Sequence, residues 1–183
     1  MRLEGEAWSR YFRDFTSSAF RLELRQVYTM PDEVDDLAAF EQGQLPPPDY
    51  HYGWLDTVAE ARQAGKTMRR VRVVTRPLSF YTRWEFVWGY AYNVKAGEDI
   101  RILDVTDQPD PELADHDFWL FDNATVVKLL YRPDGTQEGR ELVEHPDLSA
   151  YLAWRDAAWK SATPFTDYYN LRFNPLRDVR LSS

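Results

Sequence analysis

Hydrophobic and polar positions change period several times along this chain, and each change marks an element. Between Glu4 and Phe15 the apolar residues Trp8, Tyr11, Phe12 and Phe15 recur at spacings of three and four, which predicts a short amphipathic helix. From Ala19 to Tyr28 the period drops to two, with Phe20, Leu22 and Leu24 set against Arg21, Glu23 and Arg25. This predicts a half-buried strand with its charged face in water. Pro31-Asp32-Glu33 opens a helix carrying Val34, Leu37, Ala38 and Phe40 that stops near Gly43. The proline-rich stretch from Leu45 to Gly53 can be neither helix nor central strand and is a surface loop. A further helix, Trp54 to Ala64, ends at Gly65.

From Met68 the order becomes strand, helix, strand. Arg69 to Thr75 is β-branched and extended, Pro77 opens a long aromatic helix from Leu78 to about Asn93, and Asp99 to Leu103 is a short strand after Gly97. Such a unit is most simply a right-handed parallel crossover. After an acidic loop, Asp104 to Ala114, the segments Phe118–Phe121, Thr125–Tyr131 and Thr136–Val143 are joined by Asp122-Asn123 and Pro133-Asp134-Gly135. Three strands with turns this short predict an antiparallel meander. Pro146-Asp147 opens a last helix bearing Leu148, Tyr151, Leu152, Trp154, Arg155 and Trp159, and Pro164 stops it. Trp119 and Trp154 read as core residues.

The expected fold class is therefore α/β, with α+β as the alternative: a mixed sheet holding a strand-helix-strand unit, an antiparallel meander and flanking helices. The 183 residues make one domain. Within it, 1–50 reads as an N-terminal helix-strand-helix elaboration, 51–164 as the α/β core and 165–183 as a C-terminal tail. That tail is locally basic from Arg172 to Arg180, a terminus or an interaction arm.

Composition narrows the functions. The net charge is −8 and only four residues are Lys, so direct nucleic-acid binding is not expected. The arginines Arg69, Arg70 and Arg72 alternate faces of a strand, so two of the three share a side and can pair with nearby acids. There is no Cys, which excludes disulfides, thiolate metal sites and thiol nucleophiles. No apolar run approaches the roughly 20 residues of a membrane span, and the first residues carry acids where a secretory signal needs an apolar stretch. No membrane partner is expected, and the expected location is the cytoplasm. Seven Trp residues are unusual and leave aromatic surface for a core or for a ligand.

Phospholipase-D chemistry requires His-x-Lys-x-x-x-x-Asp, in which His attacks phosphorus, Lys holds the phosphoryl oxygens and Asp orients the set. His116 is followed at those positions by Phe118 and Asn123, His51 by Gly53 and Val58, and His145 by Asp147 and Leu152. The motif is absent, and no catalytic residue, metal or cofactor is assigned. Asp115-His116-Asp117 offers good ligand types, but consecutive residues rarely face one ion, so it reads as a turn before a strand. The junction Thr75-Arg76-Pro77 is the better candidate, because open α/β sheets bind ligands where a parallel strand hands over to a helix. Arg76 and Arg83 are candidates for an anionic small molecule, with Tyr81 and Trp84 as the apolar wall. The plainer alternative is a solvated Arg83–Glu85 pair and a buried aromatic helix.

Four segments carry a resemblance: Val71 to Leu78, Ala96-Gly-Glu-Asp-Ile-Arg101, Asp115-His-Asp-Phe-Trp-Leu-Phe-Asp122 and Ala153-Trp-Arg-Asp-Ala-Ala158. In these, and over about Trp8 to Pro164, the chain resembles an uncharacterised actinobacterial domain-of-unknown-function family. Members are often encoded near helix-turn-helix regulators, so the resemblance implies a regulatory setting and a separate regulator as a partner. The order of elements is also similar to non-catalytic phospholipase-D-like sensory domains, and implies a phospholipase-D-like half. The resulting expectation is a non-catalytic regulatory domain that binds a ligand or partner. The alternatives are an enzyme of hydrolase or lyase type working with Arg and carboxylates, or a structural interaction subunit. Oligomeric state is left open.

Overall fold

The computed structural model describes residues 1–107 and 111–173. One seven-stranded sheet, ordered β6-β5-β4-β1-β2-β3-β7, organises them. The strands β1 (Ser18–Glu23), β2 (Thr67–Val74) and β3 (Asp99–Asp104) run parallel. On the other side of β1 the meander β4 (Asp117–Phe121), β5 (Thr125–Tyr131) and β6 (Gln137–Leu142) is antiparallel, and the short β7 (Thr163–Pro164) runs antiparallel to β3. The fold is the mixed α/β architecture that the periodicities predict.

Local chemistry explains the connections. Asp122 and Asn123 both take left-handed backbone conformations (φ 51° and 56°), as a two-residue hairpin requires. The Asp122 carboxylate accepts N–H bonds from Thr16 (2.7 Å), Ser17 (2.7 Å) and Ser18 (3.0 Å), which hold it well below the usual carboxylate range. The hairpin is thereby tied to the chain leaving α1 (Gly5–Asp14). The aromatic helix is continuous over 80–96: α4 (Phe80–Trp84), a π-helical stretch (Glu85–Tyr90) and α5 (Ala91–Ala96). Ser79 caps it, its hydroxyl accepting the Thr82 N–H at 3.0 Å. Helix α6 (Leu148–Ser161) begins at Asp147, whose carboxylate accepts the Ala150 N–H at 3.2 Å.

The two faces of the sheet differ. On one, Phe20, Leu22, Val71, Val73, Phe118 and Leu120 meet Tyr151 and Ala158 of α6 in a continuous apolar core. On the other, two apolar clusters flank the centre. Trp119, Phe121 and Val127 pack under α1 and α3 (Gly53–Gln63), while Ile100, Ile102 and Phe86 pack with Phe165 and Tyr168 of α7 (Phe165–Tyr168). Helix α2 (Val34–Glu41), entered through the turn Pro31–Glu33, lies against the aromatic helix through Leu37 and Phe40.

Four expectations need correction. Strand β1 is not half-exposed: Arg21 and Glu23 are buried like Phe20 and Leu22, because both faces of the sheet are covered. Residues 1–50 are not a peripheral addition, since β1 lies between β4 and β2 near the middle of the sheet. The expected tail starts with α7 and a π turn, Tyr169–Phe173, that help cover the sheet; its remainder, with most of the basic run, lies outside the described residues. Trp154 is half-buried at the rim of the α6 core, whereas Trp119 is 3% exposed.

Candidate functional site

The centre of the second face is ionic. In the β1–β2 register Arg21 stands beside Arg70 and Glu23 beside Arg72. Two buried guanidiniums side by side would repel, and Glu23 resolves this. Its carboxylate accepts from Arg21 Nε at 3.0 Å and Arg70 Nη1 at 2.7 Å, lies 3.8 Å from Arg72 Nη1, and accepts the Tyr90 hydroxyl. Burial would raise the Glu23 pKa, but the three arginines outweigh it and hold it down at about 2. Arg70 Nε also donates to Glu98 at 2.8 Å, and Asp117 lies 3.6 Å from Arg21 while accepting from Tyr28 and the Leu24 N–H. Arg72 is fully buried, 4.7 Å from the centroid of the Tyr28 ring and 3.3 Å from Glu85, with no hydrogen bond to its Nε or Nη1.

A two-lobed cleft opens over this floor. The smaller lobe, about 220 Å³, is walled by Trp8, Trp54, Trp119, Tyr28, Tyr81 and Tyr131, with Arg21, Glu23, Arg70 and Arg140 among its polar lining. The larger, about 500 Å³, is walled by Tyr50, Tyr52, Trp54, Trp84, Trp88 and Tyr90, with Asp32, Glu33, Asp36 and Glu85. Met30, Glu33, Trp54, Arg70 and Glu85 line both. The π-helical stretch supplies Glu85, Trp88, Gly89 and Tyr90, and such stretches recur where a helix must serve a site.

Two carboxyls in the cleft have pKa values raised into the neutral range. Glu33, which accepts the Tyr81 hydroxyl at 2.8 Å, is pushed up to about 8 by burial, with the nearby Glu85 and Asp32 adding to the shift. Burial raises Glu85 to about 7 against the pull of Arg72. The pair could donate or accept protons at physiological pH, and strongly shifted groups in a cleft are a mark of functional sites.

Of the four residues proposed from sequence, the structure brings two to the cleft. Tyr81 lines the smaller lobe and Trp84 the larger, their rings 5.3 Å apart. Arg83 is exposed, 5.8 Å from the Phe80 ring centroid. Arg76 lies elsewhere, in a separate depression, donating from Nε to Asp104 at 2.7 Å and from Nη2 to Asp107. An anion at the strand-helix junction would have to displace those carboxylates. Arg83 and Glu85 do not form the solvated pair weighed as the alternative, because Glu85 turns inward to Arg72. The prediction for Arg69, Arg70 and Arg72 holds: Arg70 and Arg72 share the buried face, while Arg69 lies 5.1 Å from the Trp159 ring centroid on the other. His116 is placed structurally, between Asp115 (2.6 Å) and the Tyr151 hydroxyl (3.0 Å), and no group of three or more metal-ligating side chains occurs among the described residues. Likewise, among those residues no helix is long and apolar enough to cross a membrane.

An α/β domain with an ionic, aromatic-walled cleft on one sheet face is thus the class of protein that fold and site define. The chain belongs to the family described as a domain of unknown function (DUF6879), whose profile matches residues 6–170. No curated protein matches it. Among solved structures it is similar to a phospholipase D family member, Nuc from Salmonella typhimurium. The TM-score is 0.48 and the identity 12%, over 87% of this chain and 91% of that one.

Proposed function

We propose that the protein is a small-molecule-binding domain whose site is the two-lobed cleft. The observation that carries this is the joining of two aromatic-walled lobes over a buried ionic floor, the mix of apolar wall and few fixed polar groups that ligand sites use. Gly89 supports it. A Cβ there would meet nothing closer than Glu85 Cγ at 3.7 Å, and its φ is not positive, so neither crowding nor backbone conformation calls for glycine. Glycine within a helix costs about 1 kcal/mol against alanine, and here it leaves the wall of the larger lobe bare. Ligand occupancy would then be read by a partner, and a helix-turn-helix regulator in the cytoplasm is the partner the sequence suggests. The test is to incubate the full chain with a cell extract, wash, denature it and identify released small molecules by mass spectrometry. A compound enriched over a Gly89→Leu control, in which the lobe is filled, supports the reading. Equal recovery from both proteins overturns it.

One observation favours a second reading. Glu33 and Glu85, raised to about 8 and about 7, share the cleft with Arg21 and Arg70, an arrangement suited to acid–base catalysis on a bound substrate. Conversion of the extracted compound by the wild-type chain, lost in Glu33→Gln, would select it over simple binding.

A further inference from the structure

We propose that the larger lobe is a receptor for an organic cation, a quaternary or protonated amine on a small apolar body. This rests on the small-molecule reading of the cleft and names the ligand's chemistry. Tyr50, Tyr52 and Trp54 have little left to offer a ligand except ring surface, while the indole N–H groups of Trp84 and Trp88 have no protein partner. The Tyr50 hydroxyl donates to Asp36, the Tyr52 hydroxyl to Asn93, and the Trp54 indole N–H to Glu98 at 3.0 Å. Six aromatic rings around one lobe favour cations, whose charge is drawn to the ring faces.

The lining of the lobe is acidic. Asp32, Glu33, Asp36 and Glu85 line it against a single guanidinium, Arg70, which Glu23 and Glu98 already hold at 2.7 and 2.8 Å. An anion entering the lobe would meet four carboxyl groups and an arginine already committed.

Protonation supports the same conclusion. Glu33 faces Tyr81, which donates to it, and the carboxylates of Glu85, Asp32 and Glu23. Glu85 faces Arg72, Arg70 and Arg21 as well as Glu23. Both carboxyls hold protons to pH values near neutrality, at about 8 and about 7, and a cation bound between them would lower both and release protons. Cation binding should therefore tighten as pH rises through this range.

The test uses three probes with the same branched head and different charge: choline, its neutral isostere 3,3-dimethylbutanol, and 3,3-dimethylbutanoate. Each is titrated into the full chain by calorimetry, with tryptophan fluorescence as a second readout. Choline is expected to bind roughly tenfold or more tightly than the neutral isostere. Its affinity should rise between pH 6 and pH 8, and its heat should depend on the buffer's ionisation enthalpy, the signature of released protons. Asp36→Asn, which keeps a side-chain acceptor for Tyr50, should weaken choline several-fold at unchanged melting temperature, and Gly89→Leu should abolish it. If the neutral or anionic probe binds as well as choline or better, the cation assignment is overturned while the cleft remains a ligand site. If no probe binds, the assignment is also overturned, and the extract experiment decides the fate of the cleft separately.

Discussion

The two faces of the central strands carry alternate residues of the same short segments, yet they are built on different principles. Toward α6, Phe20, Leu22, Val71 and Phe118 form an apolar layer whose stability comes from area removed from water. One residue along in each strand, Arg21, Glu23, Arg70 and Asp117 point the other way into a network of buried charges. Burying ions costs more than burying hydrocarbon unless each is paired. The first face can vary in shape as long as it stays apolar and filled. The second holds specific groups in specific positions, which is what a site needs and a core does not.

The sharpest way to break this contrast is Glu23→Ala. It would take from Arg21, Arg70 and Arg72 the carboxylate they share, and breaking buried pairs in this way costs about 3–5 kcal/mol, so urea unfolding should show a large loss or no folded baseline. Next come adjacent residues on opposite faces. Phe118→Ala and Trp119→Ala should each cost about 3–5 kcal/mol in chemical denaturation. Only Trp119→Ala should also weaken ligand retention in the extract experiment, through the smaller lobe.

A smaller effect comes from pH. Glu33 and Glu85 have folded-state pKa values above their ordinary 4.5, so the native state keeps protons that the unfolded chain releases. Their contribution is complete below about pH 4.5 and is lost as pH rises through about 7 and 8. Glu23, lowered to about 2, contributes above pH 4.5 and loses its share only as pH falls toward 2. The urea midpoint should therefore fall between about pH 5 and pH 8, and Glu33→Gln should flatten the upper part of that decline. The smallest change is Gly89→Ala, which should stabilise the chain by about 0.5–1 kcal/mol in the same assay, since the added methyl meets only ordinary contacts.

Local signals explain what the sequence showed of this structure. The Asp122-Asn123 hairpin, the parallel unit from Arg69 to Leu103 and the Pro77-led aromatic helix are each announced by neighbouring residues, and each is present. Strand β1 departs from its half-exposed pattern because alternation separates two faces without saying what covers the polar one. A charged residue facing water and one facing a buried partner write the same pattern. The partners of Arg70 come from Glu23 and Glu98, 47 and 28 residues away, and meet it only once β2 is in register with β1 and β3. The legible hints of the cleft are Tyr81 and Trp84 on the aromatic helix and the face shared by Arg70 and Arg72. The junction at Arg76 has the general position of a ligand site in such a fold, but Asp104 at the end of β3 and Asp107 after it hold that arginine.

The π-helical stretch Glu85–Tyr90 acts as a phase setter. Each residue of an α-helix advances the screw by roughly 100°, and a π turn accommodates one residue more than an α turn does. That surplus residue fixes the rotational offset between Tyr81 and Trp84 upstream and Tyr90 and Asn93 downstream, all of which border the cleft. Winding the same six residues at ordinary α pitch would swing one half of the helix away from the other by about a quarter turn. Every aromatic ring could then still be present in the chain while the cleft no longer existed.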